Sequence, residues 1–99
     1  MPTVLTFKGT DVDDFVLYQN VPNPFFDKTD IRFAIPSESN VVLKVYDVNG
    51  REIYREQAVY SGGTHLISVD SHKLSVTGVM YYTLETAYGS DSKKMIQIR

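Results

Sequence analysis

Ile31, Phe33 and Ile35 alternate with Arg32 and Ala34, and a few residues later Val41, Leu43 and Val45 alternate with Val42, Lys44 and Tyr46. A period of two places each apolar set on one face of a strand and the intervening residues on the other, a pattern that a helix cannot bury. The wider composition agrees: Val, Ile and Thr number 26 against nine Ala and Leu, alongside seven Tyr and five Phe, and β-branched and aromatic residues fit pleated sheets. From Phe15 onward the chain reads as seven short strands, at about 15–19, 29–35, 40–47, 51–59, 64–69, 79–87 and 93–98. Short strands at this spacing fit a sandwich or a barrel. The expectation is all-β, a seven-stranded antiparallel immunoglobulin-like Greek-key sandwich whose core includes Phe33, Leu43, Val45, Ile67, Tyr82 and Leu84.

Turn chemistry punctuates the strands. Asp47-Val48-Asn49-Gly50 has the Asp and Gly positions of a type I turn and predicts a hairpin between the third and fourth strands. Val21-Pro22-Asn23-Pro24 cannot lie in a central strand, because each proline removes a ladder donor; it predicts an ordered turn or an edge crossing. Gly62-Gly63 and Gly78 precede strands, where they tolerate positive φ. Residues 1–14, ending in Asp11-Val12-Asp13-Asp14, lack sustained alternation and read as a linker or cargo remnant, with residues 15–99 as one domain.

Several function classes recede on elementary grounds. Ten basic and twelve acidic residues, with signs interspersed, supply no basic patch for nucleic acid. The longest apolar run, Val79 to Tyr82, is far too short for a membrane helix, so direct membrane insertion is not expected. Without cysteine there are no disulfides, thiolate metal sites or thiol nucleophiles. No signal peptide follows Met1, so a secreted protein carrying this sequence would be longer than the chain. His65 alternates in phase with Ile67 and Val69 and reads as a hydrogen-bonded, partly buried side chain; His72 reads as solvated. Asp11, Asp13 and Asp14 lack the remaining ligands of a calcium loop, and Met80-Tyr81-Tyr82-Thr83-Leu84 reads as cross-strand packing before a sugar-stacking platform. No nucleophile, carboxylate pair or metal cluster is convincing, so no enzyme and no cofactor are expected. Residue chemistry alone stops at an immunoglobulin-like accessory domain, structural or carbohydrate-binding.

A resemblance goes further. Leu17-Tyr18-Gln19-Asn20-Val21-Pro22-Asn23-Pro24-Phe25 resembles the opening motif of the type A C-terminal sorting domains of the type IX secretion system of Bacteroidetes. Thr29 to Pro36 resembles the family's second segment and Val42 to Ile53 its central hairpin. Gly63 to Asp70, Gly78 to Leu84, and Lys93-Lys94-Met95-Ile96 resemble the segments that follow, in order. Departures are local: Met80 replaces a usual aromatic, Asp27-Lys28 stands for a common Asn-Pro, and the Leu74–Gly78 loop is one residue longer.

The resemblance implies a secretion address rather than a catalyst. Its partners would be a covalently fused N-terminal cargo, an outer-membrane receptor barrel and a surface sortase that removes the domain, with cargo then anchored to lipopolysaccharide or released. Passage would run through the periplasm to the cell surface or medium. Family positions carry over to Pro22, Asn23 and Pro24, to Gly63 and Gly78, and to Lys93 and Lys94, with the lysines and the last strand offering charge and an open edge. Cleavage is expected before Phe15, and an unpaired edge strand would permit weak dimerisation.

Overall fold

A computed structural model of the chain describes residues 14–98. Seven strands follow one another: β1 (Val16–Leu17), β2 (Lys28–Ile35), β3 (Ser39–Tyr46), β4 (Glu52–Tyr60), β5 (Gly63–Asp70), β6 (Gly78–Thr86) and β7 (Gly89–Gln97), with one 3-10 turn, Ser71–Lys73, after β5. They form two antiparallel sheets, β1-β2-β5 and β4-β3-β6-β7. The linker assigned to the first residues, with Asp11 and Asp13, lies almost wholly outside the described residues.

One apolar cluster joins the sheets. Ile31, Phe33 and Ile35 of β2, with Ile67 and Val69 of β5, belong to the same cluster as Val41, Leu43 and Val45 of β3 and Met80, Tyr82 and Leu84 of β6. All six residues expected in the core are buried. Of their partners in the alternation, Arg32, Lys44 and Tyr46 are not buried, whereas Ala34, paired with Val16 of β1, is. His65 lies at the cluster's edge, half-buried, with its ring 5.5 Å from Phe33 and 5.0 Å from Tyr60 and Nε2 2.7 Å from the Ser61 carbonyl oxygen.

The predicted hairpin forms. Gly50 N–H donates to the Asp47 carbonyl at 3.0 Å, Asp47 N–H donates to the Arg51 carbonyl at 2.9 Å, and the Asp47 carboxylate accepts from the amides of Asn49 and Arg51. The Arg51 amide, then the Asn49 amide and the Arg51 guanidinium, hold the Asp47 carboxyl below its ordinary range against partial desolvation. Gly62 makes the other tight connection, from β4 in one sheet to β5 in the other. A Cβ there would stand 2.8 Å from the Pro36 carbonyl oxygen, so the two crossings between sheets pass too closely for a side chain.

Two boundaries differ from expectation. The first strand is confined to two residues, because the polar segment after it keeps only separated bonds to β2, at Tyr18 and at Val21. The last begins at Gly89 rather than at residue 93, since Gly89-Ser90-Asp91-Ser92 pairs with Thr83–Thr86 despite its loop-like composition. Pairing to an ordered neighbour overrides weak local propensity.

Candidate recognition site

The opening segment begins on one sheet and ends on the other. Val21 exchanges two backbone hydrogen bonds with Asp30 of β2, both 2.9 Å. Four residues later Phe25 makes a parallel bridge to Gln97 of β7: its N–H donates to the Ile96 carbonyl at 2.9 Å, and Ile98 N–H donates to its carbonyl at 2.8 Å. Between these anchors lie Pro22 and Pro24, both preceded by cis peptide bonds. The prolines contribute no N–H, so side chains must satisfy the polar groups of this stretch.

Asn20, Thr29 and Tyr82 do so from beneath. The Tyr82 hydroxyl, reaching from β6, donates to the Tyr18 carbonyl at 2.8 Å and accepts from Asn20 N–H at 2.9 Å. Asn20 Nδ2 donates to Thr29 Oγ1 at 2.9 Å and to the Pro22 carbonyl at 3.2 Å, and Thr29 Oγ1 donates to the same carbonyl at 2.8 Å. All three side chains are buried. Burial pushes the Tyr82 hydroxyl up to about 12, since the phenolate would lose its hydration there. A buried network of this kind fixes one geometry only when every member is partnered, as here.

The same segment covers part of the outer edge of β7. Gln19 Nε2 donates to the Lys94 carbonyl at 2.6 Å, and Ile96 N–H donates to Asn23 Oδ1 at 3.0 Å. Together with the Phe25 bridge, these bonds occupy edge groups of residues 94, 96 and 98. Among the described residues, the edge left without backbone partners on the last strand is therefore confined to its first half, from Gly89 to Lys93, and the Phe15 ring approaches Gly89 there. Asn23, carried over from the family motif without an assigned role, has a side chain that takes the place of a strand partner.

Lys93 and Lys94 do not form one charged patch. Lys93 stands opposite buried Tyr82 on the inner face of β7 and is half-buried, whereas Lys94 stands opposite exposed Tyr81 on the outer face. Gly63 and Gly78 open β5 and β6 with φ of +121° and +93°. Around Gly78 a Cβ would meet nothing within 4 Å, so only the backbone conformation selects glycine there. Gly78 pairs with Gln97 and so borders the opening segment, while Gly63 pairs with Ile35 on the other sheet.

The strongest contacts of the site involve residues that the sequence reading quoted in the motif or the core without assigning a role: Gln19, Asn20, Phe25, Thr29 and Tyr82. Their signal was available in principle. Amide side chains flanking two prolines are the natural replacements for missing backbone donors. Among the described residues no three His, Asp or Glu side chains gather in a way that could hold a metal ion; His65 bonds to Ser61 at the other end of β5, whereas His72 lines a cavity beside the opening segment with Phe26, Asp27 and Gln97.

Residues 20–99 match the family described as the secretion system C-terminal sorting domain. A comparison with curated protein sequences returns no match. Among solved structures, the crystal structure of dimeric latent PorU from Porphyromonas gingivalis is similar over 88% of this chain, with 21% identity and a TM-score of 0.64. The chain corresponds to 10% of the length of that protein, and the likeness is one of fold. With the family matched from Asn20 to the final residue, the chain belongs to the C-terminal sorting domains of the type IX secretion system.

Proposed function

We propose that the chain acts as a folded address, read by the export machinery as a surface and carried at the end of a fused cargo. The observation that supports this most is the joining of the opening segment to the last strand. Motifs more than 70 residues apart meet through four hydrogen bonds, from Gln19, Asn23 and Phe25 to residues 94–98. An address built this way is present only in the folded state. Its reader would be an outer-membrane receptor barrel, reached from the periplasm and engaged through the Gly89–Lys93 edge, with Lys93 and Lys94 steering encounter.

After passage to the surface or medium, a sortase removes the domain upstream of Phe15, and the cargo is anchored to lipopolysaccharide or released. The domain itself performs no catalysis. The strand order β1-β2-β5 with β4-β3-β6-β7 supports an immunoglobulin-like Greek-key arrangement, a scaffold that hosts many unrelated functions.

Fusing residues 15–99 behind a periplasmic reporter in a type IX-competent strain tests the proposal. The reporter should reach the surface or medium, and should remain in the periplasm in a strain lacking the export channel. Periplasmic retention of a well-folded fusion in the competent strain would refute it.

A further inference from the structure

Beside the opening segment, the end of β7, the Ser71–Lys73 turn and the Leu74–Thr77 loop line an open-sided cavity of about 530 Å³, within the range of ligand pockets. Gln97 lines it from the inner face of β7 and is 5% exposed, yet among the described residues its Oε1 is buried without a hydrogen-bond partner. The contrast with its peers is sharp. Among the described residues Asn20, Thr29, Ser39 and Asp47, also buried and polar, are all hydrogen-bonded, as is the buried Tyr82 hydroxyl. A buried acceptor left alone is costly, and a native structure that keeps one calls for an explanation.

The walls state what would fit. Phe26, Leu74 and Val76 supply apolar surface, and Phe26 is 66% exposed, a large ring held at the cavity without burial of its own. Asp27 lines the same cavity and brings a carboxylate, alongside the His72 imidazole and the Ser71, Ser75 and Thr77 side chains, so Asp27 is the one acidic group among the lining residues. An aliphatic stem lying on the apolar wall and ending in N–H donors with positive charge would satisfy both Gln97 Oε1 and Asp27. We infer that this cavity is an anchor pocket for a lysine or arginine side chain presented by a protein partner.

Such a pocket lies where the opening segment and the last strand meet, but binding in solution is separable from export, so the two can fail independently. The test is an NMR titration of the full 99-residue chain with N-acetyl-lysine N-methylamide. N-acetyl-norleucine and N-acetyl-glutamate N-methylamides serve as probes with the same cap but without the positive charge. The lysine probe should shift the Gln97 side-chain amide and the Phe26 and Val76 amides saturably, at least about tenfold more tightly than norleucine, a difference of about 1.4 kcal/mol. Gln97→Met should melt no lower than the parent and lose that preference, and Asp27→Asn, an exposed change that leaves the fold intact, should weaken lysine binding as well. Equal response to norleucine, preference for glutamate, no shift at these amides, or unchanged lysine binding by folded Gln97→Met would each overturn the proposal.

Discussion

The four-stranded sheet has two edges, and they are protected in opposite ways. Along β4, which among the described residues pairs only with β3, charged side chains stand on the strand itself: Arg55 is bound to Glu52 at 2.9 Å, and Glu56 accepts from the Tyr54 hydroxyl. At β7 the second half is covered by another part of the chain, while the first half turns Asp91 and Lys93 toward the inner face, opposite Leu84 and Tyr82. Inward-facing charge and a covering segment both discourage edge-to-edge pairing. The difference is that β4 is defended by replaceable surface residues, whereas β7 depends on a specific motif. Mutations at the two edges should therefore differ greatly in cost.

The largest contrast should come from Phe25→Ala against Val59→Ala. Phe25 is 1% exposed and ties the opening segment to the core, whereas Val59 on β4 is 63% exposed. Denaturant melts should show a loss of about 3–5 kcal/mol for the first and no more than about 0.5 kcal/mol for the second. Equal losses would erase the distinction between the edges.

Tyr82→Phe comes next, because it leaves the buried Asn20 N–H without its acceptor; about 1–3 kcal/mol should be lost. The same hydroxyl gives a pH signature. Its folded value of about 12 lies above the unfolded value near 10, so its contribution is complete below pH 10 and disappears as pH rises toward 12. Tyr54 on β4 is also pushed up to about 12, first by burial and then by its bond to Glu56. Stability measured from pH 9 to 12 should fall in the parent. Each of Tyr82→Phe and Tyr54→Phe should remove part of that fall, and a flat profile in the parent would contradict the burial of both hydroxyls.

Smaller effects follow. Asn23→Ala removes the acceptor for Ile96 N–H at an exposed site where water can substitute, so melts should register about 0.5–1.5 kcal/mol. Arg55→Ala breaks an exposed pair on β4 and should cost at most about 1 kcal/mol; a larger loss than that of Asn23→Ala would invert the ranking.

Much of the sandwich was legible because period-two alternation reports directly on burial. Ile31, Phe33, Val41, Leu43 and Val45 could be assigned to the core from spacing alone. Gly89 to Ser92 could not be read as strand, since nothing local favours extended pairing there and the partner is supplied by β6. The site was legible as a motif but not as a mechanism. Pro22 and Pro24 announce a turn, yet that Asn23 reaches Ile96, or that Tyr82 holds Tyr18 and Asn20, depends on contacts across more than 60 residues of chain. The two lysines look like one charge cluster in sequence and separate onto opposite faces because they are neighbours in a strand.

That the opening segment serves as the missing neighbour of β7 can be measured at individual amides. In native-state hydrogen exchange of the chain, Ile96 and Ile98 should be protected in the parent to the level of interior β3 amides. Asn23→Ala should expose Ile96 selectively, leaving β3 unchanged. Rapid exchange of Ile96 and Ile98 in the folded parent, or identical protection of Ile96 in Asn23→Ala, would show that the last strand holds its edge without the opening segment.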